Sequence, residues 1–189
     1  MDRHLNAGIE HGRVTDETPS IHWAHMPVDG QSRVLDLGCA FWDEPLRANR
    51  LGTPYFYLGQ NPAFYLGIDQ NKSDIALLTQ ELGDHFLEES ITSPAQISSW
   101  ITFNSITHIK SDIEGAEEHL AAIGNLLPTL YSVAIETHGD ATHHKICGWI
   151  KRQGMTIYRI DQQGDCPDVF IVYARKLLTE TTLTTPSQQ

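Results

Sequence analysis

The stretch RVLDLGC at residues 33–39 predicts a buried β-strand that ends in a glycine turn, because a short apolar run closed by glycine is typical of a parallel sheet. A second stretch, FYLGID at residues 64–69, has the same character and ends in an aspartate. Neighbouring parallel strands end at one edge of a sheet, so we expect Gly38 and Asp69 to lie close together. Glycine lets the backbone approach a ligand, and a carboxylate can accept hydrogen bonds from two ribose hydroxyls. The two stretches therefore indicate a nucleoside-binding site.

Further strands follow along the chain. THIKSDI and SVAIETH are predicted strands, and MTIYRID and DVFIVYARK predict a C-terminal antiparallel hairpin; these segments occupy residues 107–113, 132–138, 155–161 and 168–176. Strands that alternate with helical segments are typical of an α/β protein with a mostly parallel sheet and helices on both faces.

Apolar residues at helical spacing predict three helices, at residues 73–82, 116–127 and 140–153. Ser73 is the predicted N-cap of the first of them. Residues 84–106 stand where a further strand and helix are expected, but their signal is weak. Residues 43–63 are interpreted as an insertion near the site.

The chain has 189 residues and a mass of 21.2 kDa, which is typical of one domain. Residues 1–32 lack the alternating pattern and are predicted to form an N-terminal lid or a substrate-side extension. The patterned domain spans residues 33–176. Residues 177–189 are polar and are predicted to be a disordered tail.

Composition excludes several classes of function. A formal net charge of −11 makes nucleic acid an unfavourable partner. No segment is long and apolar enough to cross a membrane, and the first residues lack an apolar signal core. The three scattered cysteines suggest neither a disulfide framework nor a thiolate zinc site. We therefore expect a reduced, cytoplasmic protein that acts on a small molecule.

The residues after Gly38 bear on the type of nucleoside. They are Cys39, Ala40, Phe41 and Trp42, so the second and third glycines of a dinucleotide fingerprint are missing. NAD and FAD are disfavoured for this reason.

A third motif makes the expectation more specific. HIKSDIEGAEEHL, together with VLDLGC, GIDQN and VAIETH, resembles the FkbM-type family of S-adenosylmethionine-dependent methyltransferases, in which this segment reads like KxDxEGxE. The matching residues are Lys110, Asp112, Glu114, Gly115 and Glu117. The resemblance covers roughly residues 33–176 and implies a Rossmann-like, seven-stranded sheet with an antiparallel last strand.

The resemblance also implies roles for residues of the cofactor site. Asp36 and Gly38, with the adjoining Cys39, would border the methionine part of S-adenosylmethionine, and Asp69 would hold its ribose. Trp42 would either pack against the cofactor or block it. In the second case the chain would be a degenerate, non-catalytic nucleoside-binding module.

The acceptor side is predicted from neighbouring strand ends. Residues two apart on a strand share a face, so Glu136 and His138 should point the same way and converge with Asp112. These three groups could act as a general base on an acceptor hydroxyl, or bind Mg²⁺ or Mn²⁺. In a purely structural alternative, Asp112 caps a helix and the other two make ordinary polar contacts.

Two further alternatives remain open. A four-ligand metal site could be built from Glu136, His138, His143 and His144, although helical spacing makes His143 a better candidate for packing. The acceptor is predicted to be a small polyhydroxy or sugar-like metabolite that is methylated on oxygen. Methylation of an RNA end is the rival reaction, and the net charge opposes it.

Overall fold

The computed structural model describes residues 9–14, 23, 25–40, 62–163 and 166–177. The strands are β1 (Glu10–Val14), β2 (Arg33–Leu37), β3 (Phe64–Asp69), β4 (Phe86–Glu88), β5 (His108–Ser111), β6 (Ser132–His138), β7 (Thr156–Gln163) and β8 (Val169–Arg175). The helices are α1 (Lys72–Leu82), α2 (Pro94–Phe103), α3 (Glu117–Ala121) and α4 (Asp140–Arg152).

The eight strands of the described residues form one sheet in the order β1-β7-β8-β6-β5-β2-β3-β4. Strands β2 to β6 run parallel to their neighbours in this group, whereas β8 is antiparallel to both β6 and β7. The chain runs outward from β2 through β3 to β4 and then returns to β5. This reversal places a topological switch point between β2 and β5, where ligands of α/β proteins usually bind. The Rossmann-like sheet with a terminal antiparallel hairpin is confirmed.

The sheet has one strand more than the seven predicted. Strand β1 comes from the N-terminal segment and pairs in parallel with β7, with Glu10 opposite Arg159. The side chains of this pair form an ion pair of 3.2 Å. An edge strand has a hydrogen-bonded neighbour on one side only and does not need a buried apolar face. Its sequence can therefore lack the apolar pattern by which strands are predicted. The lid prediction for the rest of this segment lies mostly on residues 15–22 and 24, outside the described residues.

Helices cover both faces of the sheet, as predicted. One apolar cluster joins the sheet to α2, α3 and α4 and includes Ile101, Leu120 and Trp149. The other joins it to α1 and to the chain before β2, through residues such as Leu78 and Met26. Among the described residues, no helix has the length and apolar character needed to span a membrane.

Helix boundaries differ from the predictions in two places. The N-cap of α1 is Asn71 rather than Ser73, and its side chain accepts a hydrogen bond from the Asp74 amide. Helix α3 ends at Ala121, although Ile123 and Leu127 beyond it are buried. Burial of an apolar stripe does not require that its backbone stay helical. The predicted insertion at residues 43–63 and tail at 177–189 lie almost wholly outside the described residues.

Candidate active site

A cavity of about 400 Å³ opens at the carboxyl ends of β2, β3, β4 and β5, at the switch point of the sheet. Its lining residues are Gly38, Ala40, Ile68, Asp69, Gln70, Asn71, Glu89, Ile91, Asp112, Ile113, Glu114 and Ala116. A volume in this range suits a nucleoside-sized ligand.

The turn after β2 can be made only by glycine. Gly38 has a φ of 74°, and a Cβ at this position would lie 1.6 Å from the carbonyl oxygen of Asp112. The Asp112 amide donates to the Leu37 carbonyl at 2.9 Å, which holds the ends of β5 and β2 against each other. Close approach of these two strand ends therefore forms one wall of the cavity.

Asp69 lines the cavity and orders the loops beside it. One carboxylate oxygen accepts a hydrogen bond from the Ala40 amide at 3.0 Å, and the other accepts one from the Asn71 amide at 2.8 Å. A carboxylate oxygen can accept more than one hydrogen bond, so capacity remains for a ligand. Asp69 thus has the position that its predicted role requires.

The other predicted cofactor residues have different surroundings. Asp36 is fully buried and does not line the cavity; its carboxylate lies 3.1 Å from the Lys110 ammonium and accepts a hydrogen bond of 2.6 Å from Tyr65. Cys39 is also buried outside the lining, and burial raises the pKa of its thiol. Direct contact of either residue with a cofactor stays a prediction. Trp42 lies outside the described residues.

His138, at the end of β6, lies among carboxylates. Its Nδ1 is 2.6 Å from Glu117, and its Nε2 is 3.3 Å from Glu136 and 3.7 Å from Glu114. The hydrogen bonds to Glu117 and then to Glu136 raise the pKa of His138 to about 10. Both ring nitrogens of His138 are therefore protonated at neutral pH in this arrangement, and the cationic imidazole cannot act as a base.

Asp112 and Glu114 connect this group to the cavity. Both line it, and each offers an oxygen that lies within 4.8 Å of a ring nitrogen of His138 and of the other carboxylate. Burial raises the pKa of Glu114, against the attraction of His138. The structure thus places Asp112 and Glu136 each beside the imidazole of His138, and their predicted role stays a prediction. The set suited to a metal ion nevertheless contains Glu114 in place of Glu136.

Glu114 and Glu117 belong to the third motif, but no site role is predicted for either from the sequence. The signal that could have identified them is their spacing from Asp112. It puts Glu114 in the turn after β5 and Glu117 at the start of α3. From there Glu117, which is fully buried, reaches His138 across the end of β6.

The four-ligand alternative does not assemble. His143 contacts the Thr137 hydroxyl at 3.2 Å and packs against the ring of Phe170, while His144 contacts the Asp140 carbonyl. Burial lowers the pKa of His143. His143 is a packing residue, as helical spacing indicated, and neither histidine joins the metal-ligating set formed by the described residues.

Charge distinguishes this cavity from a phosphate site. Four carboxylates line it, and none of its described lining residues is basic. The nearby ammonium group of Lys110 contacts Asp36 and the Gly38 carbonyl instead. The potential in the cavity therefore favours a ligand that carries positive charge.

No family model matches the sequence, and no match to it was found among curated proteins. Among solved structures, a mutant of DNMT2 from Spodoptera frugiperda matches with a TM-score of 0.54 and 12% identity, over 84% of this chain and 53% of the other. The S. pombe Dnmt2 methyltransferase matches with a TM-score of 0.50 and 12% identity, over 77% and 49%. A protein of the NADB-Rossmann superfamily from Streptococcus agalactiae also has a TM-score of 0.50, with 11% identity, over 79% and 64%.

These similarities establish the fold, which this chain shares with the two DNMT2 structures, of which the one from S. pombe is described as a methyltransferase. The chain spans about half the length of the two DNMT2 structures, at 53% and 49%. Because no family model matches, the resemblance to the FkbM-type family stays a prediction.

Proposed function

We propose that this protein is an S-adenosylmethionine-dependent methyltransferase that methylates an oxygen of a small polyhydroxy or sugar-like acceptor. The charge of the cavity carries the proposal: four carboxylates and no described basic residue line it. S-adenosylmethionine is a nucleoside whose sulfonium and ammonium groups outweigh its single carboxylate, so its net charge is positive, whereas a dinucleotide carries a negatively charged pyrophosphate. Coulomb interactions in such a site favour the first ligand and disfavour the second.

The residues present fit this cofactor. Asp69 would accept hydrogen bonds from the ribose hydroxyls, and Ile68, Ile91 and Ile113 would pack on its apolar surface. The glycine turn at Gly38 brings backbone rather than a side chain to the cavity wall. When bound, S-adenosylmethionine supplies a methyl group on sulfonium sulfur that is open to in-line displacement.

The protein must align the acceptor hydroxyl and remove its proton. Of the three residues predicted for this task, Asp112 lines the cavity, whereas His138 is held in its cationic form, protonated on both nitrogens, by Glu117 and Glu136. We therefore assign the acceptor's proton to Asp112, which either accepts it directly or helps to hold a cation that acidifies the hydroxyl. His138 and Glu136 are assigned a positioning role at the strand ends beside Asp112.

Two alternatives make different demands. A degenerate nucleoside-binding module would bind the cofactor or its product without turnover, or bind neither if Trp42 blocks the pocket. An RNA-end methyltransferase needs a surface that attracts phosphate, which a net charge of −11 and an acidic cavity oppose.

Calorimetry with S-adenosylmethionine and S-adenosylhomocysteine tests the cofactor. We expect both to bind the wild-type protein, and Asp69→Ala to weaken binding by about 1–3 kcal/mol, because the ribose hydroxyls lose an ionised acceptor. Asp84→Ala is the matched control, since Asp84 is exposed and does not line the cavity. A folded wild-type protein that gives no heat with either nucleoside would rule the proposal out.

Turnover then separates enzyme from binding module. Radiolabelled S-adenosylmethionine is incubated with a panel of sugars and glycosides, and label in the acceptor is counted. Asp112→Asn should bind S-adenosylhomocysteine within about tenfold of wild type while losing most transfer, because its loss falls on the transition state. If Asp112→Asn transfers methyl groups at the wild-type rate, the role given to Asp112 is wrong.

A further inference from the structure

We propose that Asp112, Glu114 and His138 form a binding site for one divalent cation, Mn²⁺ or Mg²⁺, at the acceptor end of the cavity. One oxygen of each carboxylate and one ring nitrogen of His138 lie within 4.8 Å of one another. Opposite ligands of a six-coordinate ion of this kind are separated by about 4 Å, twice a bond of about 2.1 Å. Small rotations of these side chains would therefore bring the three atoms to one ion, and binding of the ion would release the proton that Nε2 of His138 carries in its absence.

The histidine is held as metal-binding histidines usually are. Glu117, which is fully buried, lies 2.6 Å from Nδ1 of His138 and fixes the plane of the ring. This contact turns Nε2 towards Glu114 at 3.7 Å and Glu136 at 3.3 Å. A carboxylate on one ring nitrogen commonly orients the other nitrogen towards a metal ion. Glu117 is thus a positioning residue, and Glu136 can supply a further oxygen.

Buried oxygen atoms give an independent indication of a ligand. Oδ1 of Asp112 and Oε2 of Glu117 are shielded from solvent, and neither accepts a hydrogen bond from the described residues. Such an oxygen in a buried carboxylate is costly unless a positive group faces it. The Lys110 ammonium, which is the basic group near Asp112, hydrogen-bonds to the Gly38 carbonyl and faces Asp36. A divalent cation that replaces the Nε2 proton of His138 would place more positive charge beside these two oxygens than the imidazolium does, and could bond to them directly.

The donors indicate which cation. Carboxylate oxygens suit Mg²⁺ and Mn²⁺, and of these two ions the softer Mn²⁺ accepts an imidazole nitrogen more readily. Three protein ligands leave coordination positions for water or for hydroxyls of an acceptor. Coordination lowers the pKa of a bound hydroxyl and orients the hydroxyl. This use of the ion, on a hydroxyl of the methyl acceptor, rests on the proposed methyl transfer. Binding of the ion itself does not rest on it.

The test measures binding of Mn²⁺ alone to the full chain, by the loss of the electron paramagnetic resonance signal of aqueous Mn²⁺. We expect one ion per wild-type chain. Glu114→Gln should weaken binding at least about tenfold, and Glu117→Gln should weaken it by about 10- to 100-fold, as loss of an orienting carboxylate does. Glu114 is about half exposed, so its variant should keep the fold. Glu118→Gln is the control, because Glu118 is exposed and follows Glu117 in α3. This variant should bind Mn²⁺ as the wild type does.

The inference is overturned if wild-type protein binds no Mn²⁺, or if Glu114→Gln binds it as tightly as Glu118→Gln. Calorimetry with S-adenosylhomocysteine on the same preparation separates the two proposals. Nucleoside binding without Mn²⁺ binding rejects the cation site alone. Binding of Mn²⁺ without either nucleoside rejects the methyltransferase and leaves the cation site in place.

Discussion

A buried ion pair supports the turn beside the cavity. Asp36 and Lys110 are direct neighbours on β2 and β5, and both side chains lie in the interior, with 0% and 5% of the residue exposed. Lys110 also donates to the Gly38 carbonyl at 2.6 Å. Burial works to lower the pKa of Lys110, but Asp36 and then Asp112 outweigh it and raise that pKa above its ordinary value. Lys110 therefore stays charged and fastens the glycine turn to the sheet.

Lys110→Met should lower the free energy of unfolding by about 3–5 kcal/mol, because it leaves the Asp36 carboxylate buried without its cation. Lys110→Met combined with Asp36→Asn should recover much of this loss, since no uncompensated charge remains. Lys72→Met is the control: its ammonium is exposed and lies 4.0 Å from Glu88, so it should change stability by less than about 1 kcal/mol. Urea denaturation measures all three. Equal effects of Lys110→Met and Lys72→Met would contradict the role given to the ion pair.

At the scale of elements, local hydrogen bonds set where helices begin. Helix α2 follows the segment whose sequence signal was weak, and it begins with Ser93 as N-cap and Pro94 as its first residue. The Ser93 hydroxyl accepts a hydrogen bond from the Gln96 amide at 3.3 Å. Ile97 and Ile101 then pack into the core. Two buried residues and a cap therefore suffice for a helix in a polar stretch.

Ser93→Ala should destabilise the protein by about 0.5–2 kcal/mol, because one amide of the first turn loses its acceptor. Ser99→Ala is matched to it in chemistry but lies exposed in the middle of the same helix, where alanine has the higher helix propensity. We expect this control to be neutral or slightly stabilising in thermal unfolding. A loss of stability in the control as large as that in Ser93→Ala would show that the cap is not the cause.

At the scale of the whole molecule, net charge and cavity charge have the same sign. The chain has 13 basic and 24 acidic residues, and the cavity is lined by carboxylates. Both contributions attract a cationic ligand and repel a polyphosphate. The long-range contribution is screened by salt, since the Debye length falls from about 30 Å at 0.01 M to about 8 Å at 0.15 M.

Affinity for S-adenosylmethionine should therefore fall several-fold as ionic strength rises from about 0.01 M to about 0.15 M. S-adenosylhomocysteine lacks the sulfonium charge, so its affinity should change much less. Calorimetry at the two salt concentrations gives both values, and S-adenosylhomocysteine, whose sulfur is uncharged, serves as the internal control. The electrostatic argument fails if the two ligands respond equally to salt.

Much of the fold was predictable from the sequence because its signals are local. Each strand from β2 to β8 except β4 has an apolar run of its own, and these runs with the helical spacing between them specify the alternating α/β order. The candidate site was predictable in part. Asp69 and Asp112 do line the cavity, because both stand where parallel strands end.

What the sequence by itself determined is thus the order of the elements and the strand ends at which polar groups gather. Tertiary structure alone decided which of these groups face the cavity. Asp36 and Asp69 are both aspartates on neighbouring strands, yet Asp36 pairs with Lys110 in the interior and Asp69 lines the cavity. Glu117 becomes part of the site only because α3 brings it against His138, 21 residues further along the chain. Such contacts depend on the packing of whole elements, which no local pattern encodes.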